Sequence, residues 1–176
     1  MNRRLDARVA AVTAVMTAVV FVLTRLVQIP TPIQGFVHLG DAAIYFTAFA
    51  FGPWVGAVAG GLGTALADLN SGFAQWAVFS LLIHGLQGFL AGIVSQRVRG
   101  LAGLVLATVI GGIVLVLGYL AAGTILLGFG AAVSEMIPNT LQALAGGLIG
   151  IPLYLLVLRA YPPLGQWKST RTWTDQ

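Results

Sequence analysis

The stretch Leu101-Ala-Gly-Leu-Val-Leu-Ala-Thr-Val-Ile-Gly-Gly-Ile-Val-Leu-Val-Leu-Gly-Tyr-Leu-Ala-Ala-Gly-Thr-Ile-Leu-Leu127 carries no charged side chain from end to end. A helix crosses the hydrocarbon core of a bilayer with about 20 consecutive apolar residues, and this run exceeds that. Of the 176 residues, 58% are apolar and 8% are charged, whereas a soluble domain carries about 25% charged residues. A chain this poor in charge cannot cover a water-facing surface. The mean hydropathy of +0.93 agrees. The expected fold class is therefore all-α: a polytopic membrane protein, built as a six-transmembrane-helix bundle.

Working outward from that fifth span, a fourth is expected over residues 73–96 and a sixth over 134–159. Asn70-Ser71-Gly72 and Gly52-Pro53 are turn signals. They bound a third span over 53–69 and a second over 40–51. Residues 28–39 read as a loop in which Pro30 and Pro32 stop any helix. The first span covers 5–27. Residues 1–160 thus form one membrane domain, and 161–176 a polar cytoplasmic tail. The second span is short: about twelve residues rise roughly 18 Å, against a core of about 30 Å. It starts earlier, tilts little, or forms a re-entrant hairpin with the third.

In this threading Arg3, Arg4, Arg8, Arg97, Arg99, Arg159, Lys168 and Arg171 share one side. Basic residues gather on the cytoplasmic side, so the protein is expected to be a multi-pass protein of the cell membrane with both termini inside. Arg25 is the basic exception. The first span has no small-residue cleavage site after it and reads as uncleaved. The formal charge of +4 follows from these clusters, so no nucleic-acid partner is expected; the partner is the lipid bilayer. Cysteine is absent, which excludes disulfides and thiolate chemistry.

Glycines and alanines form seams. Gly56, Ala59, Gly60, Gly63 and Ala67 share one face of the third span. Ala74, Leu81, Gly85, Gly88 and Gly92 share one of the fourth. Small residues at such spacing let helix backbones approach closely inside a bundle.

Polar residues form faces too. Trp76, Ser80, Ile83 and Gln87 lie within an arc of about 60° on the fourth span, with His84 on its flank. Polar groups at that depth are costly and face a cavity or a partner. On the sixth span Glu135, Asn139, Gln142 and Gly146 stack on one face. They read as the wall of an outward-facing polar pocket, or as a solvated helix end with interhelical hydrogen bonds. Pro138 suits a first helical turn. The first external loop adds Gln34, His38 and Asp41. Asp41 after Gly40 reads first as the cap of the second span, and Asp68 as an ordinary helix end beside water. Arg25 has Asp41, Asp68 and Glu135 as candidate partners.

No Gly-x-x-x-x-Gly-Lys-[Ser/Thr], His-Glu-x-x-His or Gly-x-Ser-x-Gly occurs. Two histidines without cysteine make a poor metal site. No catalytic residue, metal or cofactor is expected, and the protein is not read as an enzyme.

The runs His38-Leu-Gly-Asp41-Ala-Ala-Ile, Phe51-Gly-Pro-Trp-Val-Gly-Ala57 and Gly60-Gly-Leu-Gly-Thr-Ala-Leu-Ala-Asp68 resemble the S components of energy-coupling factor (ECF) transporters. So do Leu82-Ile-His-Gly-Leu-Gln-Gly-Phe-Leu-Ala-Gly92, Ile137-Pro-Asn-Thr-Leu-Gln142 and Gly150-Ile-Pro-Leu-Tyr154. The nearest subfamily is labelled for riboflavin and includes pyridoxine and hydroxymethylpyrimidine carriers. The resemblance implies a substrate-binding subunit for a vitamin-like small molecule. Its partners would be a transmembrane coupling subunit and two cytoplasmic ATPases. Capture would occur outside, and toppling in the membrane would release the substrate inside. The family's coupling surface has small residues at four-residue spacing on the first span. Ala10, Ala14 and Ala18 match that spacing here, with Ala7 and Ala11 beside them. Family members often carry a lysine where His84 stands.

The combined reading is a substrate-capture subunit of a vitamin importer. Trp76 stacks on an aromatic ring, while Glu135, Asn139 and Gln142 bond its polar edges. His84 and Gln87 form the floor, with His38 in the loop above. A small heterocycle such as a pyridoxine or a pyrimidine is favoured over riboflavin. The rivals are a stand-alone transporter and a non-transport membrane scaffold.

Overall fold

The computed structural model describes residues 7–31 and 35–167. Arg3, Arg4, Gln34, Lys168 and Arg171, singled out above, lie outside the described residues. In chain order the elements are α1 (Ala7–Leu26), β1 (Gln28–Thr31), β2 (Gly35–His38), α2 (Gly40–Phe51), α3 (Pro53–Ser71), α4 (Ala74–Arg97), α5 (Gly100–Leu127), α6 (Phe129–Ser134), α7 (Met136–Ala160) and α8 (Leu164–Trp167). The protein is a helical membrane bundle. Four helical stretches among the described residues are long and apolar enough to cross a bilayer: Ala7–Leu26, Ala74–Arg97, Gly100–Leu127 and Phe129–Ala160.

The expected second span begins at Gly40 and no earlier. Its 12 residues are nearly all buried, so α2 is enclosed by other helices and needs no length to match the lipid. Gly52 makes the turn into α3 with φ of 91°, a left-handed conformation that favours glycine. Pro53 then opens α3, where its missing N–H costs little. The chain doubles back: Gly60 faces Ile44 and Gly56 faces Ala48, an antiparallel pair.

The two seams meet each other. A Cβ on Gly56 would lie 2.9 Å from the carbonyl oxygen of Gly88, and one on Gly60 would lie 2.7 Å from that of His84. The backbones of α3 and α4 therefore touch where only glycine fits, the arrangement that drives helix association without a hydrophobic effect. Gly63 of the same seam packs on Val20 of α1 instead. The other side of α2 meets α7, where Gly146 lies against Asp41 and Gly150 against Tyr45.

Two expectations are modified. Gln28–Thr31 and Gly35–His38 pair as antiparallel strands, with Gln28 opposite His38 and Pro30 opposite Phe36. Both strands of a two-stranded ribbon are edges, where proline is tolerated. The polar tail begins by turning back: Leu164 is buried, and the Trp167 ring sits 5.5 Å from that of Phe51.

Candidate functional site

α2 has 12 residues and rises only about 18 Å. The strands β1 and β2 precede its Gly40 end. The C-terminal end of α3 and the N-terminal ends of α4 and α7 surround it. Between them is a pocket lined by Gly35, Phe36, His38, Asp68, Trp76, Ser80, Tyr119, Glu135, Asn139 and Gln142. Five of the seven expected ligand residues are therefore brought together: His38, Trp76, Glu135, Asn139 and Gln142. The other two, His84 and Gln87, are fully buried and lie behind the lining.

One network ties hairpin, α2, α4 and α7. Gln142 Oε1 accepts the His38 backbone N–H at 2.9 Å, and its Nε2 donates to Asp41 Oδ2 at 3.4 Å. His84 Nδ1 is 2.7 Å from Gln87 Oε1 and 3.3 Å from Asp41 Oδ1. His38 Nδ1 accepts the N–H of Gly40 at 3.1 Å. Burial, aided by the neighbouring His84 ring and opposed by Asp41, lowers the pKa of His38 to about 3. His38 thus stays neutral near pH 7, as its acceptor role requires. His38, Asp41 and His84 each bring a potential metal ligand within 4.8 Å of the others. His84 Nδ1 reaches Asp41 and Gln87 while His38 Nδ1 accepts from Gly40, so all three side chains belong to the network beneath the pocket.

Three sequence readings are corrected here. Asp41 is no cap, because α2 has no side-chain cap hydrogen bond; its buried carboxylate faces His84 and Gln142, and His38 serves the first N–H. Asp68 is not beside water. The left-handed Gly72 reverses the chain, α4 folds back over Asp68, and its exposure falls to 5%. Arg25 meets none of its candidate carboxylates, which point inward, and donates from Nε to Asn70 Oδ1 at 3.0 Å on the surface.

The aromatic walls were only partly foreseen. Trp76 lies 6.0 Å from Tyr119, Tyr119 5.7 Å from His84 and His84 5.3 Å from His38. Phe36, 5.8 Å from His38, joins them from the hairpin. Tyr119 and Phe36 went unread. A tyrosine within the fifth span was the available sign, since a hydroxyl at depth needs a partner; it finds Ser80 Oγ at 2.7 Å. Asp68 Oδ2, His84 Nε2, Gln87 Nε2 and Glu135 Oε1 are buried without a hydrogen-bond partner. Buried polar groups are normally paired; of these four, Asp68 Oδ2 and Glu135 Oε1 belong to residues that line the pocket. The lining presents aromatic rings from Trp76, Tyr119 and Phe36 together with carboxylate and amide groups.

The sequence profile of the ECF-type riboflavin transporter S component matches residues 4–159. An uncharacterized protein from the gap 3′ region of Pyrococcus woesei is 44% identical over 147 residues, covering 82% of this chain and 99% of that protein. The thiamine precursor transporter HmpT of Lactococcus lactis subsp. cremoris (strain MG1363) is 34% identical over 148 residues, covering 83% of this chain and 85% of that one.

Proposed function

The chain belongs to the family of ECF-type riboflavin transporter S components, and from that premise we propose that it captures a small aromatic heterocycle for delivery by a partner ATPase module. Family membership makes it a multi-pass membrane component of vitamin uptake. The pocket between Trp76, Tyr119 and Phe36 carries the finer reading. The pocket is a small one, lined by three aromatic rings and a few polar side chains. One substituted ring suits it better than a tricyclic ring with a polyol chain. A pyrimidine is favoured within that class, because HmpT is named as a thiamine precursor transporter. Glu135, Asn139 and Gln142 supply edge contacts, and His84 and Gln87 brace the floor beneath.

Direction follows from charge. The pocket lies at the Gly40 end of the bundle. Arg97, Arg99 and Arg159 are exposed at the opposite helix ends, which the positive-inside rule makes cytoplasmic. The pocket then opens outward, and both termini lie inside. Ala10, Ala14 and Ala18, all exposed on α1, provide the flat stripe for a transmembrane coupling subunit that carries two cytoplasmic ATPases.

Orientation is testable without background, because the chain has no native cysteine. Gly130→Cys at the pocket end should react with a membrane-impermeant thiol reagent applied to whole cells. Tyr161→Cys at the basic end should react only after permeabilisation. The opposite pattern would turn the pocket toward the cytoplasm and remove capture from outside.

A further inference from the structure

We propose that the pocket takes its ligand as an organic monocation, a protonated or quaternary nitrogen ring. This rests on the heterocycle reading above and narrows it. The lining contains two carboxylates, Asp68 and Glu135, and no lysine or arginine. Their exposures are 5% and 8%, and Asp68 Oδ2 and Glu135 Oε1 each lack a hydrogen-bond partner. A buried carboxylate is stable when paired and costly when not.

Among the described residues no lysine or arginine lines the pocket, and the ionisable ring of His84 lies behind the lining. Its Nδ1 serves Asp41, a third carboxylate beneath the floor. His38 is fixed as a neutral acceptor by the N–H of Gly40. Arg25 is outside, on Asn70. Where both carboxylates are ionised, a cationic ligand supplies the balance.

The walls fit the same requirement. Trp76, Tyr119 and Phe36 border the pocket, and the negative face of an aromatic ring attracts a cation, most strongly where water is displaced. An anionic ligand, such as a phosphorylated vitamin, meets two carboxylates and three such rings. A neutral ring leaves both carboxylates uncompensated. A flat cation with delocalised charge satisfies the carboxylates at its edge and the rings at its faces.

A matched pair of probes isolates charge from shape: 1-methyl-3-(hydroxymethyl)pyridinium, a fixed cation, and 3-methylbenzyl alcohol, its neutral isostere. Calorimetry on the purified full chain in detergent at pH 8 should show the pyridinium binding about tenfold more tightly, the order of one partly desolvated cation–π or charge-assisted contact. Asp68→Asn and Glu135→Gln keep side-chain shape; each should shrink that ratio toward one. Thermal melting of each variant confirms that it is folded. If Asp68→Asn does not fold, Glu135→Gln at the helix junction decides alone. Equal or tighter binding of the neutral ring overturns the cationic ligand and leaves the heterocycle pocket standing. A tenfold preference that survives in the folded variants also overturns it, since the charge would then be read elsewhere. Binding of neither probe overturns both readings.

Discussion

Tryptophan in place of Ala14 is expected to abolish uptake by cells while the purified chain still folds and binds its ligand. The expectation comes from the two sides of α1. Met16, Val20 and Thr24 are buried, and Met16 and Val20 pack with Ala43, Ile44 and Ala59 of α2 and α3. Ala7, Ala10, Ala11, Ala14 and Ala18 are exposed on the bundle surface. An indole at position 14 therefore starts from an exposed position on the face of α1 away from Met16 and Val20. Lipid accommodates it; a closely approaching helix cannot, because small residues are what permit that approach. Co-purification with the coupling subunit should be lost together with uptake. Loss of folding or of binding would assign the stripe to the internal core. Normal uptake would show that this face does not couple and would favour a stand-alone carrier.

Trp76→Ala and Asn139→Ala should each weaken ligand binding by about 5- to 150-fold. That range corresponds to the roughly 1–3 kcal/mol that accompanies loss of one contact to a buried polar or aromatic group. Trp76 is 7% exposed and forms one wall with Tyr119. Asn139 sits one helical turn past Glu135 on the same pocket face. Ile137→Ala lies on the lipid side of the same helix, at 72% exposure, and should leave affinity unchanged. Calorimetry on the three variants separates the cases. Unchanged affinity in both pocket variants places the site elsewhere, and an equal loss at Ile137 points to a general disturbance of α7.

Much of this fold was legible in the sequence because lipid and packing both act through simple periodicities. Apolar length marked α1, α4 and α5, and Gly52-Pro53 marked the end of α2. The glycine seams of α3 and α4 read correctly because backbone contact requires small residues at helical spacing. Trp76 and Ser80 of one expected face and Glu135, Asn139 and Gln142 of the other come to line one pocket, whereas Gln87 lies behind it. What stayed hidden depends on chain reversal. The loop with Pro30 pairs as two short strands through backbone hydrogen bonds, which side-chain periodicity does not announce. Asp68 looks solvent-facing along α3 and becomes buried when Gly72 sends α4 back across it. Asp41 has the sequence position of a cap, yet α2 starts deep in the bundle, where its carboxylate finds His84 and Gln142. Tyr119 sits in the most apolar stretch of the chain, so hydropathy alone concealed a pocket wall.

The central claim is that a small aromatic heterocycle occupies the space between the hairpin, α4 and α7. Mass spectrometry of small molecules released from the purified, heat-denatured chain tests it most directly, with the Trp76→Ala variant purified alongside. The account predicts a single-ring nitrogen heterocycle released in near-stoichiometric amount from the unaltered chain and greatly depleted in the variant. A larger ring system such as a flavin would contradict the one-ring pocket. Equal release from both proteins would contradict the site itself.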